Sequence, residues 1–303
     1  MKSHSQSEIV IARYSEDLDW VGQIPAGFNV IIFNKGAEIT SPAALARADS
    51  IVKLANSGRE SDTILRHIAS KQSFGEGFTV FLQGNPFEHS PDIINLLKAQ
   101  MSWKDLQPLS WRWLDAEDMP PAEVLARETT GFVAGSRVRP ELFSLLTWSP
   151  LQYADPGTKR IYDDYRRLHD LPNGVNIAGH FLRRCEWTEL ADQAENHLVG
   201  CFSYGAIFAV RQSRLAQVPR KSIQYALEAA NGHQMYGYIL ERLWMHMFGE
   251  PFLLQAPTPA LFREDFAVLP ARFTAVPEAI EKKPLHRRVV PAVKRRIVSW
   301  AQT

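Results

Sequence analysis

Four short runs in the first third of the chain are apolar nearly throughout: residues 8–13 (EIVIAR), 28–33 (FNVIIF), 50–54 (SIVKL) and 78–83 (FTVFLQ). A strand with one face in water alternates apolar and polar positions, whereas a strand covered by helices on both faces carries a continuous apolar run. These four therefore read as buried strands. The intervals hold helix-like segments such as residues 61–72, with Ser61 placed to cap. Strand, helix, strand in that order predicts right-handed crossovers and a parallel sheet. Residues 91–103 again show helical periodicity, and residues 108–150 mix Trp, Pro and Gly without a regular pattern and read as loop-rich. Farther on, residues 205–210 (GAIFAV) read as another strand, and residues 219–230 and 234–248 as amphipathic helices. The fold class expected is α/β: a three-layer α/β/α sandwich with a mainly parallel sheet.

Open α/β sheets bind ligands at the carboxyl ends of their strands. The segments that follow the four strands are polar: Tyr14, Ser15, Glu16, Asp17 and Asp19 after the first, Asn34, Lys35 and Gly36 after the second, Asn56 to Glu60 after the third, Gly84 to His89 after the fourth. Four such loops on one sheet edge make a candidate site.

Composition narrows the reading. With 303 residues, 45% hydrophobic and 22% charged, the chain can build a large folded core, and a net charge of +1 gives no overall field to attract nucleic acid. The polar residues 1–7 precede no apolar signal run, and no stretch approaches the ~20 apolar residues of a membrane span, so a cytoplasmic protein is expected. Cys185 and Cys201 sit among apolar neighbours and read as buried free thiols. Glycine-rich nucleotide loops of the Walker type, Gly-x-Ser-x-Gly elbows and His-Glu-x-x-His helices are absent from the sequence. The organisation expected is a main domain over residues 1–275 and a basic tail over 276–303. In that tail Lys282, Lys283, Arg287, Arg288, Lys294, Arg295 and Arg296 interleave with apolar residues ending in Trp300. Such a segment suits an anionic membrane surface, which would make the protein peripheral; it equally suits a solvated or self-packed tail.

Each candidate side chain has a chemical and a structural reading. Asn85, Glu88 and His89 bring oxygen and nitrogen donors together and could hold a divalent cation, Mn2+ or Mg2+; otherwise Asn85 and Pro86 form a turn, Glu88 is solvated and His89 packs. Arg59 follows Gly58 just ahead of a helix and could clamp a phosphate, or merely pair with Glu60. Asp17 could recognise a nucleotide or start a helix. Glu241, within the apolar segment 238–244, could act as a general base if burial tunes it, or be a paired structural carboxylate. His246 reads as a core histidine before a metal ligand.

Taken in order, residues 9–19 (IVIARYSEDLD), Asn34-Lys35-Gly36, residues 56–61 with 63–68 (TILRHI), residues 80–85 (VFLQGN) and 86–89 resemble an uncharacterised microbial family of unknown function grouped with GT-A glycosyltransferases. The likeness extends through residues 205–210 and, more loosely, 238–249. It implies a GT-A-like sandwich acting on a nucleotide sugar and a glycan or lipid-linked acceptor. Arg13, Tyr14 and Asp17 would lie near the nucleotide, Lys35 and Arg59 near its phosphates, and Asn85, Glu88 and His89 at the usual cation position. Glu241 would be the base, with Glu88 as the other catalytic carboxylate. Metal-dependent members carry Asp-x-Asp at the cation position, where this chain has Asn85-Pro86-Phe87. The other outcome of such a departure is a catalytically silent nucleotide- or carbohydrate-binding protein on the same fold.

Overall fold

A computed structural model describes residues 6–90, 93–110, 140–151 and 155–254. The basic tail and the end of the expected main domain, residues 255–303, lie outside them. The strands are β1 (Ser7–Arg13), β2 (Phe28–Asn34), β3 (Ser50–Lys53), β4 (Phe78–Gln83), β5 (Leu106–Pro108), β6 (Glu141–Ser144), β7 (Val199–Phe202) and β8 (Phe208–Arg211). The helices are α1 (Pro42–Arg47), α2 (Arg59–Ser70), α3 (Ile93–Lys98), α4 (Pro156–Leu168), α5 (Ile177–Arg184), α6 (Thr188–Glu195), α7 (Gln212–Leu215), α8 (Arg220–Gly232) and α9 (Met235–Met247).

Six strands form one sheet in the order β3-β2-β1-β4-β8-β5. The first four strands are mutually parallel, as the apolar runs predicted, while β8 runs antiparallel to both β4 and β5. Side chains alternate between two cores because the strand period is two. Ile9 and Ile11 of β1 enter a smaller core under α1 and α3, whereas Val10 enters a larger one with α2 and the helices α4 to α9. The same division puts Val80 and Leu82 on one side of β4 and Phe81 on the other. The protein is thus a mainly parallel α/β sandwich with helices on both faces. A second, two-stranded sheet pairs β6 with β7, and β7 packs against α9.

Two departures from the sequence reading have plain causes. The four residues of β3 are exposed, because β3 is the edge strand next to β2; the buried strand expected there is corrected. The strand expected at 205–210 begins only at Phe208, since Gly205 sits at φ +63 in a turn, Tyr204–Ala206. Residues 140–150, read as loop-rich, include β6.

At the amino edge of the sheet a charged cluster is sealed into the core. Glu8 Oε1 accepts from Thr79 Oγ1 at 2.8 Å and lies 2.8 Å from His67 Nε2, and Oε2 accepts from Lys71 Nζ at 2.7 Å. Burial pushes the Glu8 carboxyl up, but the bonds and charges of His67 and Lys71 outweigh it and hold the group at about 2.

Candidate functional site

The carboxyl edge carries the loops singled out above, and the structure binds them into one surface. Arg13, at the end of β1, donates to Asn34 Oδ1 at 2.9 Å, to the Ala37 carbonyl and to the Glu16 carbonyl at 3.2 Å. Its guanidinium staples the loop after β1 to the loop after β2. Lys35 is buried and donates to the carbonyls of Ser57 at 2.7 Å and Arg59 at 2.5 Å, with Asp62 Oδ2 3.0 Å away. Burial lowers the Lys35 ammonium, against the opposing pull of Asp62. These bonds tie the loop after β2 to the start of α2. Arg13 and Lys35, expected near nucleotide and phosphate, thus both spend donors on bonds within the protein.

Asp17 is exposed, and its Oδ1 accepts from the Asp19 N–H at 2.9 Å, just ahead of the 3-10 turn Asp19–Gln23. Tyr14 is exposed, and its N–H donates to Glu16 Oε2 at 2.6 Å. Glu16 leans across to the fourth loop: a Cβ on Gly84 would meet Glu16 Oε2 at 2.6 Å. Trp20 Nε1 donates to the Gly84 carbonyl at 2.8 Å, so the loops after β1 and β4 are locked together.

The most concentrated chemistry lies between α2, β4 and α9. Gly58, at φ +59, occupies the position before α2, where a Cβ would press to within 2.6 Å of the Asp62 Cβ. This turn delivers Arg59, whose guanidinium donates to the Tyr238 hydroxyl and lies 4.5 Å over that ring, with Glu60 Oε2 at 3.4 Å. Glu60 Oε1 in turn accepts from Gln83 Nε2, at the end of β4, at 3.1 Å. Glu241 is half-buried on α9, and its Oε1 accepts the Gly205 N–H at 2.9 Å. Gly205 is pressed between neighbours: a Cβ there would meet His89 Cδ2 at 2.8 Å and Gln83 at 3.0 Å.

The two carboxyls of this cluster are driven apart. Burial raises Glu241, and the opposing pull of Arg242, the Gly205 N–H and Arg59 does not cancel it. Burial also pushes Glu60 up, but there the charge of Arg59 wins and holds the group below the usual carboxylate range. Arg59 stays firmly protonated: burial works against it, and Glu60, Tyr238 and Glu241 outweigh burial. Carboxyls with divergent affinities for a proton beside a fixed cation are an arrangement suited to acid–base chemistry.

In the fourth loop Asn85 caps the turn Pro86–Glu88, its Oδ1 accepting from the Phe87 N–H at 3.3 Å. Glu88 is exposed, and His89 stacks on Tyr204 with ring centroids 5.7 Å apart. Among the described residues no group of three or more His, Cys, Asp or Glu side chains is arranged to hold a metal ion. His246 is a core histidine: its Nε2 accepts from the Cys201 N–H at 2.9 Å, Nδ1 lies 2.8 Å from the Glu250 carbonyl, and burial lowers it to about 4. Arg242 lies 4.1 Å over the Phe202 ring, beneath the site. Both cysteines are free and buried.

The cluster thus holds two of the candidate side chains, Arg59 and Glu241, together with Glu60, named in the sequence only as a loop residue and a pairing partner of Arg59, and with Gln83, Gly205 and Tyr238, which were given no role there. Glu60 and Gln83 border strand ends and were open to the same rule that selected Arg59. Gly205 and Tyr238 reach the site only through the way α9 packs, and no local pattern marks them.

No protein-family model matches the chain, and no curated protein does. Among solved structures the chain is similar to a CMP:2-keto-3-deoxy-manno-octonic acid synthetase complexed with CTP, at 13% identity over 75% of this chain and 85% of that one, with a TM-score of 0.29. A likeness that loose carries no weight in assigning the site. No helix of the described residues is long and apolar enough to cross a membrane.

Proposed function

We propose that the protein is a glycosyltransferase that uses a nucleotide-activated sugar, with its site at the carboxyl edge of the sheet and Glu241 as the general base. The observation that supports this most is the Glu241 carboxyl, raised by burial and oriented by the Gly205 N–H beside the protonated Arg59. In the reaction, the Glu241 carboxylate takes the proton of an acceptor hydroxyl. The acceptor oxygen bonds to the anomeric carbon of the donor, whose bond to the diphosphate oxygen breaks. Nucleoside diphosphate leaves, and Arg59, with about a third of its side chain exposed, is the cation placed to meet the developing charge.

The residues at the expected cation position do not fit a resident metal: Asn85 is engaged in its turn and His89 is packed against an aromatic ring. No step is routed through Mn2+ or Mg2+. Either ion is a condition to vary in the assay, since it would arrive with the diphosphate.

The test is release of nucleoside diphosphate from a panel of nucleotide sugars, with and without glycan and lipid-linked acceptors, each with and without manganese. Acceptor-dependent release supports the reading, and release from no member of the panel contradicts it. A second reading is a silent nucleotide- or carbohydrate-binding protein, favoured by the commitment of Arg13 and Lys35 to internal bonds. It expects saturable binding without release. Association of the basic tail with an anionic membrane surface belongs to the same proposal. Liposome co-sedimentation of the full chain against one ending at Ile280 tests it: stronger binding by the full chain to anionic vesicles supports the tail's role, and equal binding contradicts it.

A further inference from the structure

A cavity of about 420 Å³ opens between the ends of α4 and α5 and the junction of α8 with α9, and none of the carboxyl-edge residues lines it. Its size falls within the range of small-ligand sites, roughly 300–1,000 Å³. Its apolar wall is buried Phe181 and Tyr236 with half-buried Tyr225. That wall is held from behind by a set of polar rings. The Tyr236 hydroxyl lies 2.8 Å from His169 Nε2, the Tyr165 hydroxyl lies 2.8 Å from His180 Nδ1, and the two histidine rings are 5.2 Å apart.

Two opposite charges line the same cavity without neutralising one another. Arg184, on α5, is exposed and makes no hydrogen bond or ion pair among the described residues, whereas its neighbour Arg183 is paired with both Asp192 and Glu195. Among the described residues Glu228, on α8, is met only by the Gln224 amide, at 3.4 Å. Of the other polar groups in the lining, burial pushes the Cys185 thiol up to about 12, and His233 Nδ1 accepts from the Met235 N–H at 3.1 Å. An unpaired guanidinium offers a fork for a carboxylate, and a carboxylate beside tyrosine faces suits an ammonium.

We propose that this cavity binds a small zwitterion with an apolar body, of the α-amino acid class, its carboxylate on Arg184 and its ammonium on Glu228 beside the tyrosine rings. The inference is independent of the glycosyltransferase reading, since it uses none of that site's residues.

The test is calorimetric titration of the full chain at millimolar ligand with L-phenylalanine and L-leucine, against phenylacetate, which lacks the ammonium, and phenethylamine, which lacks the carboxylate. Saturable binding of an amino acid, at least about tenfold tighter than either single-charge analogue, is expected. Arg184→Gln and Glu228→Gln should each weaken it about tenfold or more while far-ultraviolet circular dichroism stays unchanged; both side chains are exposed, and Arg184→Lys provides a variant that retains the charge. Absence of saturable heat with both amino acids overturns the proposal. So does phenylacetate binding as tightly as L-phenylalanine with Glu228→Gln silent, which would make the cavity a simple anion site.

Discussion

The two edges of the central sheet handle buried carboxylates in opposite ways. At the amino edge both oxygens of Glu8 are bonded, to Thr79, His67 and Lys71, and the group is held at about 2. At the carboxyl edge Glu241 has one oxygen on the Gly205 N–H, is half-buried, and is raised rather than lowered. The first arrangement is closed and serves the fold. The second leaves a carboxyl that changes charge nearer neutral pH next to a cation that does not, which is the distribution a general base needs.

Substitutions can break this contrast. Glu241→Gln should lower turnover about 10²–10⁴-fold, the usual range for a lost acid–base group, with the unfolding midpoint little changed. A well-folded variant with unaltered turnover removes Glu241 from the chemistry. Lys35→Met should act the other way, destabilising the fold by about 1–3 kcal/mol in denaturant titration, because it strips the Ser57 and Arg59 carbonyls and Asp62 Oδ2 of their buried donor, while Asp62 Oδ1 keeps Arg66 and Asn231. If the loss is under about 1 kcal/mol, Lys35 is not the strut described here.

Acid sharpens the comparison further. Glu8 has a folded value of about 2 against an ordinary 4.5, so its contribution is fully present above about 4.5 and is lost as pH falls towards 2. The expected loss is about 3 kcal/mol across that window, and Glu8→Gln should abolish that pH dependence. An unchanged acid limb in the variant would assign it elsewhere. Glu241 has the opposite sign: being raised, it reaches its basic form only above the ordinary carboxylate range, so turnover should climb with pH there. The smallest effect is expected at Asn85, where Asn85→Ala removes a cap from a single turn and should cost about 1 kcal/mol or less. A large loss of turnover there with stability intact would return Asn85 to the site as a ligand-binding group.

The parallel half of the sheet was legible because β1, β2 and β4 are covered on both faces, and continuous burial writes continuous apolar runs. The edge strand β3 imitates that pattern with Ile51 and Val52, although both are exposed. The short strands β5 and β6 were missed for want of length: three or four residues carry no usable period. In the site, Arg59 was legible because it follows a strand and opens a helix. Lys35 obeys the same rule and also braces the start of α2, which position along the chain does not reveal, because it does not show which donors the folded protein engages itself. Gly205 against Glu241 was illegible, since it joins residues 36 apart that meet only once α9 docks over β7.

The central claim is that Glu241 is a titrating base facing a nucleotide sugar while Glu8 is a sealed structural carboxylate. Carbon-13 detected pH titration of glutamate carboxyls in the full chain tests it most directly, with Glu241 and Glu8 assigned by difference from Glu241→Gln and Glu8→Gln. The account expects Glu241 to titrate above the ordinary 4.5 and to move when a nucleotide sugar saturates the protein, with Glu8 near 2 and unmoved. A Glu241 carboxyl that titrates at or below 4.5 and ignores a bound nucleotide sugar would contradict it.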